Sequence, residues 1–414
     1  MTGTGLHIDI EDTRSGGLAR RTVLLHEDGV RAAHKVTYEY ECSGAEPTNP
    51  SFDGPVFAFL FHAMQRGRPV YVHGPVTRTA LFNFDALQGA WCCWRPERYK
   101  RVDIHPETIL DLDTPKRGRT AIAAYSGGVD STFTALRHRL LLPPERRIPL
   151  TTLLMVHGFD VALDKPDHFE RLVERTRPFR DLVGLDLRVV RTNSKELYLQ
   201  NWQDSHAAEL AACLHLYAHE FAFGLIGSTK SYDALVIPYG TSPITDHLLS
   251  GDGFAIVHDG AESSRTEKVA AIAPHPAAVR SLRVCWEGRE QFRNCGVCEK
   301  CVRTRMNFAA VGVTEPSCFN GPLDLARIPS IPVRNEPQAV ELRSIVVYAA
   351  KHGAQGEWLD ALKRRVDAIK PEAKGVQRMR TVAASARQAA GAALAAVGLK
   401  QTVRRMMSLL KARG

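Results

Sequence analysis

A short apolar run, Thr120-Ala121-Ile122-Ala123-Ala124-Tyr125, leads straight into Ser126-Gly127-Gly128-Val129-Asp130-Ser131 and then into a helical pattern. No other stretch restricts the fold so tightly. A buried strand over Thr120–Tyr125 must turn within a few residues into a helix over Ser131–Leu142, and glycines permit that turn and a close backbone approach to a ligand. The start of the following helix offers free N–H groups and a positive dipole end, which together bind phosphate. Ser126 and Ser131 add hydroxyl donors. Asp130 would repel a phosphate directly, so its sensible role is to hold Mg²⁺ bridged to a nucleotide. The Gly-x-x-x-x-Gly-Lys-Ser/Thr spacing of a Walker loop is absent. The alternative is a strand–turn–helix connection that uses glycine only to turn.

From Arg119 onward strands and helices alternate, which predicts an α/β fold with a parallel sheet and crossover helices. The pattern places a second strand over Leu150–Val156, a helix over His168–Leu182 and a third strand over Asp186–Arg191. A long helix follows over Ser205–Gly224, then a fourth strand over Ala234–Pro238 and a fifth over Phe254–Val257. Proline-rich residues 322–337 read as a linker, with helices near 338–351 and 356–369.

Four of the nine cysteines fall within seventeen residues, as Cys285-x9-Cys295-x2-Cys298-x2-Cys301. In a reducing compartment such clustering reads as metal binding rather than disulfides. Two-residue gaps let successive thiolates converge on one ion, with Gly296 relieving the turn. Four thiolates without histidine suit a closed, structural tetrahedral Zn²⁺ site, and an iron–sulfur cluster can use the same ligands. Cys285 is the most distant ligand, and Cys318 is its natural substitute. The bland alternative is a set of free core cysteines.

The segment Ser126–Ser131 resembles the Ser-Gly-Gly-x-Asp-Ser pyrophosphate loop (PP-loop) of the N-type ATP pyrophosphatases. With Cys295-Gly296-x-Cys298-x-x-Cys301 downstream, the chain is similar to the 7-cyano-7-deazaguanine synthases and related QueC-like proteins over roughly residues 118–315. The resemblance implies an adenine nucleotide alpha hydrolase-like (HUP) domain with a zinc-binding lobe. It also implies ATP and Mg²⁺ as ligands and structural Zn²⁺, with ATP held at Tyr125, Ser126, Gly127, Gly128, Val129, Asp130 and Ser131, and His157 near the nucleotide. The implied chemistry is AMP-forming: a carboxylate, such as a 7-deazaguanine acid, is adenylated and passed to ammonia or an amine, giving an amide or a nitrile. A cation commonly neutralises the departing pyrophosphate in this superfamily, and Lys268 and Arg265 are the candidates beside Asp130. Their alternative role is as solvated helix residues. Ligands of open α/β sheets bind beyond the carboxyl ends of the strands, so Tyr239, Gly240, Thr241, Ser242 and Asp246, after the fourth strand, are candidate substrate contacts. His206, near Glu209 on the long helix, reads as an ordinary helix histidine.

Residues 1–115 form an N-terminal α+β unit without legible chemistry. Strands are expected over Leu6–Ile10, Arg21–Leu25 and Lys35–Tyr40, and helices over Val56–Gln65 and Thr77–Trp94, the latter capped by Thr77. Trp91-Cys92-Cys93-Trp94 reads as core. The remaining units are an ATP-binding domain at 116–275, a Cys₄ lobe at 276–320, a linker with helices at 321–369 and a basic tail at 370–414. That tail holds ten basic residues against Glu372, which accounts for the whole net charge of +9. The body is neutral, which argues against a large nucleic-acid footprint. Leu399, Val403, Met406, Met407 and Leu410 line one face of a basic amphipathic helix suited to a protein partner or an anionic membrane. Homo-oligomers are left open. No run of 18 apolar residues and no signal-peptide pattern is present, so a cytoplasmic location is expected. Two other readings stay open: a PP-loop tRNA sulfurtransferase, and a nucleotide-binding scaffold without turnover.

Overall fold

The computed structural model describes residues 4–42, 49–111, 120–197, 199–285 and 287–369. Its strands are β1 (Leu6–Ser15), β2 (Leu18–Glu27), β3 (His34–Glu41), β4 (Val70–Thr77), β5 (Ile104–Leu110), β6 (Ala121–Ala124), β7 (Leu150–His157), β8 (Asp186–Thr192), β9 (Phe223–Gly227) and β10 (Ala255–Asp259). The α-helices are α1 (Asp53–Arg66), α2 (Arg78–Trp94), α3 (Val129–Leu136), α4 (Pro166–Arg175), α5 (Arg177–Val183) and α6 (Trp202–His215). They continue with α7 (Arg265–Ile272), α8 (Pro276–Ser281), α9 (Glu299–Ala310), α10 (Glu336–His352) and α11 (Glu357–Asp367).

The fold is α/β, built on one mostly parallel ten-stranded sheet in the order β10-β9-β6-β7-β8-β3-β2-β1-β4-β5. The five strands from β10 to β8 run parallel. Their burial explains the sequence pattern. Ile122 and Ala124 of β6 enter one core with Leu154, Val190, Ile226 and α6. Ala121 and Ala123 enter the other with Leu153, Met155 and Leu225. A strand covered on both faces reads as a continuous apolar run.

The β1–β3 meander is antiparallel, and β3 pairs antiparallel with β8 through Tyr38–Tyr40. The expected boundary near residue 115 lies outside the described residues, and the strands on either side of it share this sheet. Thr77 caps α2 as expected, its side chain accepting from the Ala80 N–H at 3.3 Å. Trp91 is buried against Phe61 and Tyr99, whereas Cys93 is exposed.

Several expectations are corrected. The long helix stops at His215, and the fourth strand of the parallel set is Phe223–Gly227, not Ala234–Pro238. The latter stretch begins at the end of a short 3₁₀ turn, Tyr232–Ala234, and has no regular structure beyond it, and Pro238 has no N–H to give a central ladder. The helix expected over His168–Leu182 is two, broken at Thr176, with Pro178 in the first turn of α5. The helix after the loop starts at Val129 and ends in a π-helical turn, Arg137–Leu141, which brings His138 within 3.0 Å of Asp259. Strands β4 and β5 were not anticipated. The helices expected near 338–351 and 356–369 are α10 and α11, and with α9 they enclose a third core around Met306, Ile331, Leu342 and Leu362. Among the described residues, no helix is long and apolar enough to cross a membrane. The basic tail, and with it the partner or membrane contact expected of it, lies outside the described residues.

Candidate functional site

Within the parallel set the order β8-β7-β6-β9-β10 reverses direction between β6 and β9, which is where open α/β sheets leave a crevice for ligands. The Ser126–Ser131 loop leaves β6 at that point. Its first anchor is the Tyr125 N–H donating to the Leu154 carbonyl at 2.8 Å. Gly127 has φ +75°, a left-handed backbone that a side chain would strain. Its carbonyl accepts the Arg283 N–H at 2.8 Å. Gly128 is the N-cap of α3 and supplies no capping side chain. Ser126 Oγ accepts from the Gly128 N–H, and Ser131 Oγ accepts from the Ser126 N–H, both at 3.3 Å. Val129, Asp130 and Ser131 form the first turn of α3, whose N–H groups have no intrahelical acceptors. Ser126 is exposed beside them, while Tyr125 and Val129 point into the core, Tyr125 stacking on Phe179.

A ring of charges faces this loop. Arg265 Nη2 donates to Asp130 Oδ2 at 2.5 Å, and Lys268 Nζ lies 3.7 Å from Asp130 Oδ1. Both cations lie on α7, whose start is fixed by a capping box between Ser264 and Glu267. Neither is a solvated helix residue. Lys268 is 1% exposed, donates to the Ser228 carbonyl at 2.5 Å, and has its pKa pushed down by burial against the pull of Asp130. A Cβ on Gly227, at the end of β9, would lie 3.0 Å from the Asp130 carbonyl group, tighter than side chains ordinarily approach, so glycine eases this contact. Asp130 Oδ1 is buried without a hydrogen-bond partner. Lys230, Arg303 and Glu341 extend the ring: Glu341 accepts from Lys230 and from Arg303 at 2.7 Å each.

The other expected contacts are placed differently. With the fourth strand corrected, Tyr239–Asp246 begins twelve residues beyond Gly227 rather than directly after a strand. Asp246 is fully buried, accepting from Thr241 Oγ1 at 2.6 Å and the Ser242 N–H at 2.9 Å, with His258 Nδ1 at 2.7 Å. These bonds shape its own loop. Gly240 packs on His206, and its N–H donates to the Gln203 carbonyl at 3.0 Å. Tyr239 stands edge-on to His206 and close enough to the ring that Glu341, after burial, helps raise its pKa. His157 is buried, stacked on Phe169 with ring centroids 4.5 Å apart, and bonds the Ala162 carbonyl at 3.0 Å.

The sulfurs of Cys285, Cys295, Cys298 and Cys301 all lie within 4.8 Å of one another. Cys318 is not among them; its carbonyl instead accepts from Asn294 Nδ2 at 3.0 Å. The separations test the fit of a metal. Tetrahedral zinc with Zn–S bonds of about 2.3 Å needs sulfurs about 3.8 Å apart. Cys295 and Cys301 are 3.8 Å apart, and Cys285 and Cys298 are 3.7 Å apart. Four sulfurs at this spacing cannot all ionise unaided. Hydrogen bonds from Cys298 and Cys301 draw the Cys285 thiol down, while the bond to Cys285 pushes Cys298 up to about 12. A dication removes that conflict, and the cluster could hold a metal ion such as zinc.

Sequence reasoning missed several contributors. Asn294 Oδ1 accepts the N–H groups of Val284 and Cys285, at 2.8 and 3.2 Å, and so shapes the cysteine loop. Lys230 follows the end of β9 in Gly227-Ser-Thr-Lys, which a correct fourth strand would have flagged. Arg283 is legible only by its nearness to Cys285, and nothing local marks Glu341. No protein-family model, curated protein or solved structure matches the chain.

Proposed function

We propose that the chain is an ATP-dependent, AMP-forming enzyme of the PP-loop type, with a HUP-like core and a structural zinc lobe. The observation that carries this reading is the Ser126–Ser131 loop at the switch point of the sheet, with unpaired helix N–H groups and two cations, Arg265 and Lys268, across from it. Free N–H groups at a helix start bind phosphate, and buried cations stabilise charge that develops on a leaving group.

In the proposed reaction a substrate carboxylate oxygen attacks the α-phosphorus of ATP. The bond to the bridging oxygen breaks, and pyrophosphate leaves along the loop toward Arg265 and Lys268. Ammonia or an amine then attacks the acyl carbon, loses a proton and expels AMP, giving an amide. Mg²⁺ would offset the phosphate charge, and Asp130 Oδ1, which accepts no hydrogen bond, is the oxygen that would hold it. The closed cysteine cluster leaves a metal no open position, so it supports folding and activates neither water nor substrate.

The test is ATP–pyrophosphate exchange screened over carboxylic acids, beginning with 7-carboxy-7-deazaguanine, alongside calorimetry with pyrophosphate alone. Exchange that depends on one acid supports the reading. Absence of both exchange and pyrophosphate binding refutes it.

A further inference from the structure

Glu341 reaches the loop from far away in sequence. It lies on α10, beyond the proline-rich stretch 322–337 and outside the segment that resembles the pyrophosphatases. Its carboxylate is nevertheless buried among the charges facing the loop. Oε1 accepts from Lys230 Nζ at 2.7 Å. Oε2 accepts from Arg303 Nη1 at 2.7 Å and lies 3.2 Å from Arg265 Nε. Nη2 of the same guanidinium donates to Asp130. Arg265 therefore pairs with two carboxylates, by a hydrogen bond to Asp130 of the loop and by an ion pair, without a hydrogen bond at Nε, to Glu341 of the C-terminal helices. Burial alone would raise the Glu341 pKa, but Lys230, Arg265 and Arg303 outweigh it and keep the group an anion.

We propose that Glu341 is a positioning residue for the phosphate loop: it fixes Arg265 at the angle that faces Asp130, which makes α10 part of the site. The inference rests on the pyrophosphate reading of that loop. Its consequence separates it from a purely structural role. The ring holds Lys230, Arg265, Lys268 and Arg303 against Asp130, Glu299 and Glu341, an excess of one positive charge. Removing the Glu341 charge takes away an anion and no cationic side chain, so attraction for a polyanion holds or grows. The guanidinium, having lost its second anchor, no longer meets the reacting phosphate correctly. A misplacement of about 1 Å costs on the order of a hundred-fold in rate.

The experiment uses the full chain as wild type, Glu341→Gln and Glu341→Asp, each checked by circular dichroism at the assay temperature. Pyrophosphate binding is measured by calorimetry, and kcat and KM by ATP–pyrophosphate exchange. Glu341→Gln should bind pyrophosphate as tightly as wild type or more tightly, while its exchange kcat falls about a hundred-fold. Glu341→Asp keeps the charge on a shorter arm and should recover part of that loss; it carries the test if the glutamine variant is unfolded. Wild-type kcat in the folded glutamine variant, or in the aspartate variant where the glutamine variant does not fold, overturns the inference. So does a parallel loss of binding, rate and melting temperature. A wild-type chain that neither binds pyrophosphate nor exchanges it overturns the loop reading together with this one, whereas an active wild type with an unaffected Glu341→Gln overturns this one alone.

Discussion

Replacing Cys298 by serine isolates the energetic role of the cysteine cluster. Cys298 is the N-cap of α9 and makes no capping hydrogen bond with its side chain. Serine is among the best N-cap residues, so the substitution leaves the helix start as good or better. What it removes is one of four sulfurs, 3.7 Å from that of Cys285. The magnitude follows from linkage. A ligand that binds only the folded chain stabilises it by RT ln(1 + [L]/Kd), about 4 kcal/mol when free zinc is a thousand times Kd. A domain of this size shifts by roughly 2 °C per kcal/mol, so losing the ion should lower the melting temperature by about 8 °C. The assay pairs metal analysis with thermal melts of wild type, Cys298→Ser and chelator-treated wild type. Wild type should carry one zinc per chain, and the other two samples should melt together below it. A zinc-free Cys298→Ser chain that melts like wild type would refute the reasoning, because the loop would then owe nothing to the ion.

Asn294→Ala should keep all four sulfurs but weaken zinc binding about ten- to a hundred-fold, because the side chain shapes the loop through Val284, Cys285, Leu282 and Cys318; competition with a metal-sensitive dye reads this, and an unchanged Kd contradicts it. Asp130→Asn should abolish exchange and also cost about 2 kcal/mol of stability, since Arg265 and Lys268 lose a charged partner; exchange at the wild-type rate removes Asp130 from the reaction. Glu27 gives a pH dependence: bonded to the buried His62 at 2.9 Å, its carboxyl is lowered from 4.5 to about 2. A lowered carboxylate stabilises the fold above its unfolded pKa, near 4.5, and loses that contribution as pH falls toward 2. Urea unfolding should therefore show wild type ahead of Glu27→Gln by roughly 3 kcal/mol at neutral pH, with the gap closing between pH 4.5 and 2; a gap independent of pH would exclude the ionised Glu27 as its source.

The strand–turn–helix at Ser126–Ser131 and the cysteine cluster were legible because each concentrates its signal in a few adjacent residues. Thr77 was legible because a cap acts on the residues next to it. Strand β9 was not. Phe223-Gly-Leu-Ile-Gly is covered on both faces and follows α6 closely, and a short buried apolar run has no period that distinguishes strand from helix. That error displaced the expected substrate segment and hid Lys230. In β4 burial alternates from Val70 to Val76, but Gly74 and Pro75, both poor strand formers, occupy the middle of the run, where the pairing with β5 also shifts register. Asp246 looked like a free carboxylate because sequence cannot show that Thr241, Ser242 and His258 already occupy it.

Contacts on either side of the cysteine cluster lead to the Ser126–Ser131 loop. Arg283 stands two residues before Cys285, and its N–H holds the Gly127 carbonyl, the point where the loop turns left-handed. Arg303 stands two residues after Cys301, and it reaches Asp130 in three contacts, through Glu341 and Arg265. The cluster thus ties together the two chain segments that hold the loop from opposite sides. The stretch between them is thinly covered: Cys285 and Cys301 are buried, but Cys295 is exposed and Cys298 only half-buried. A metal ion held by the four sulfurs would supply what apolar burial there does not. Loss of the ion should loosen Arg283 and Arg303 together, so chelation should reduce exchange more than a core mutation of equal cost in melting temperature placed far away, such as Leu25→Ala in β2. Equal losses from the two perturbations would mean that the cluster acts through global stability alone.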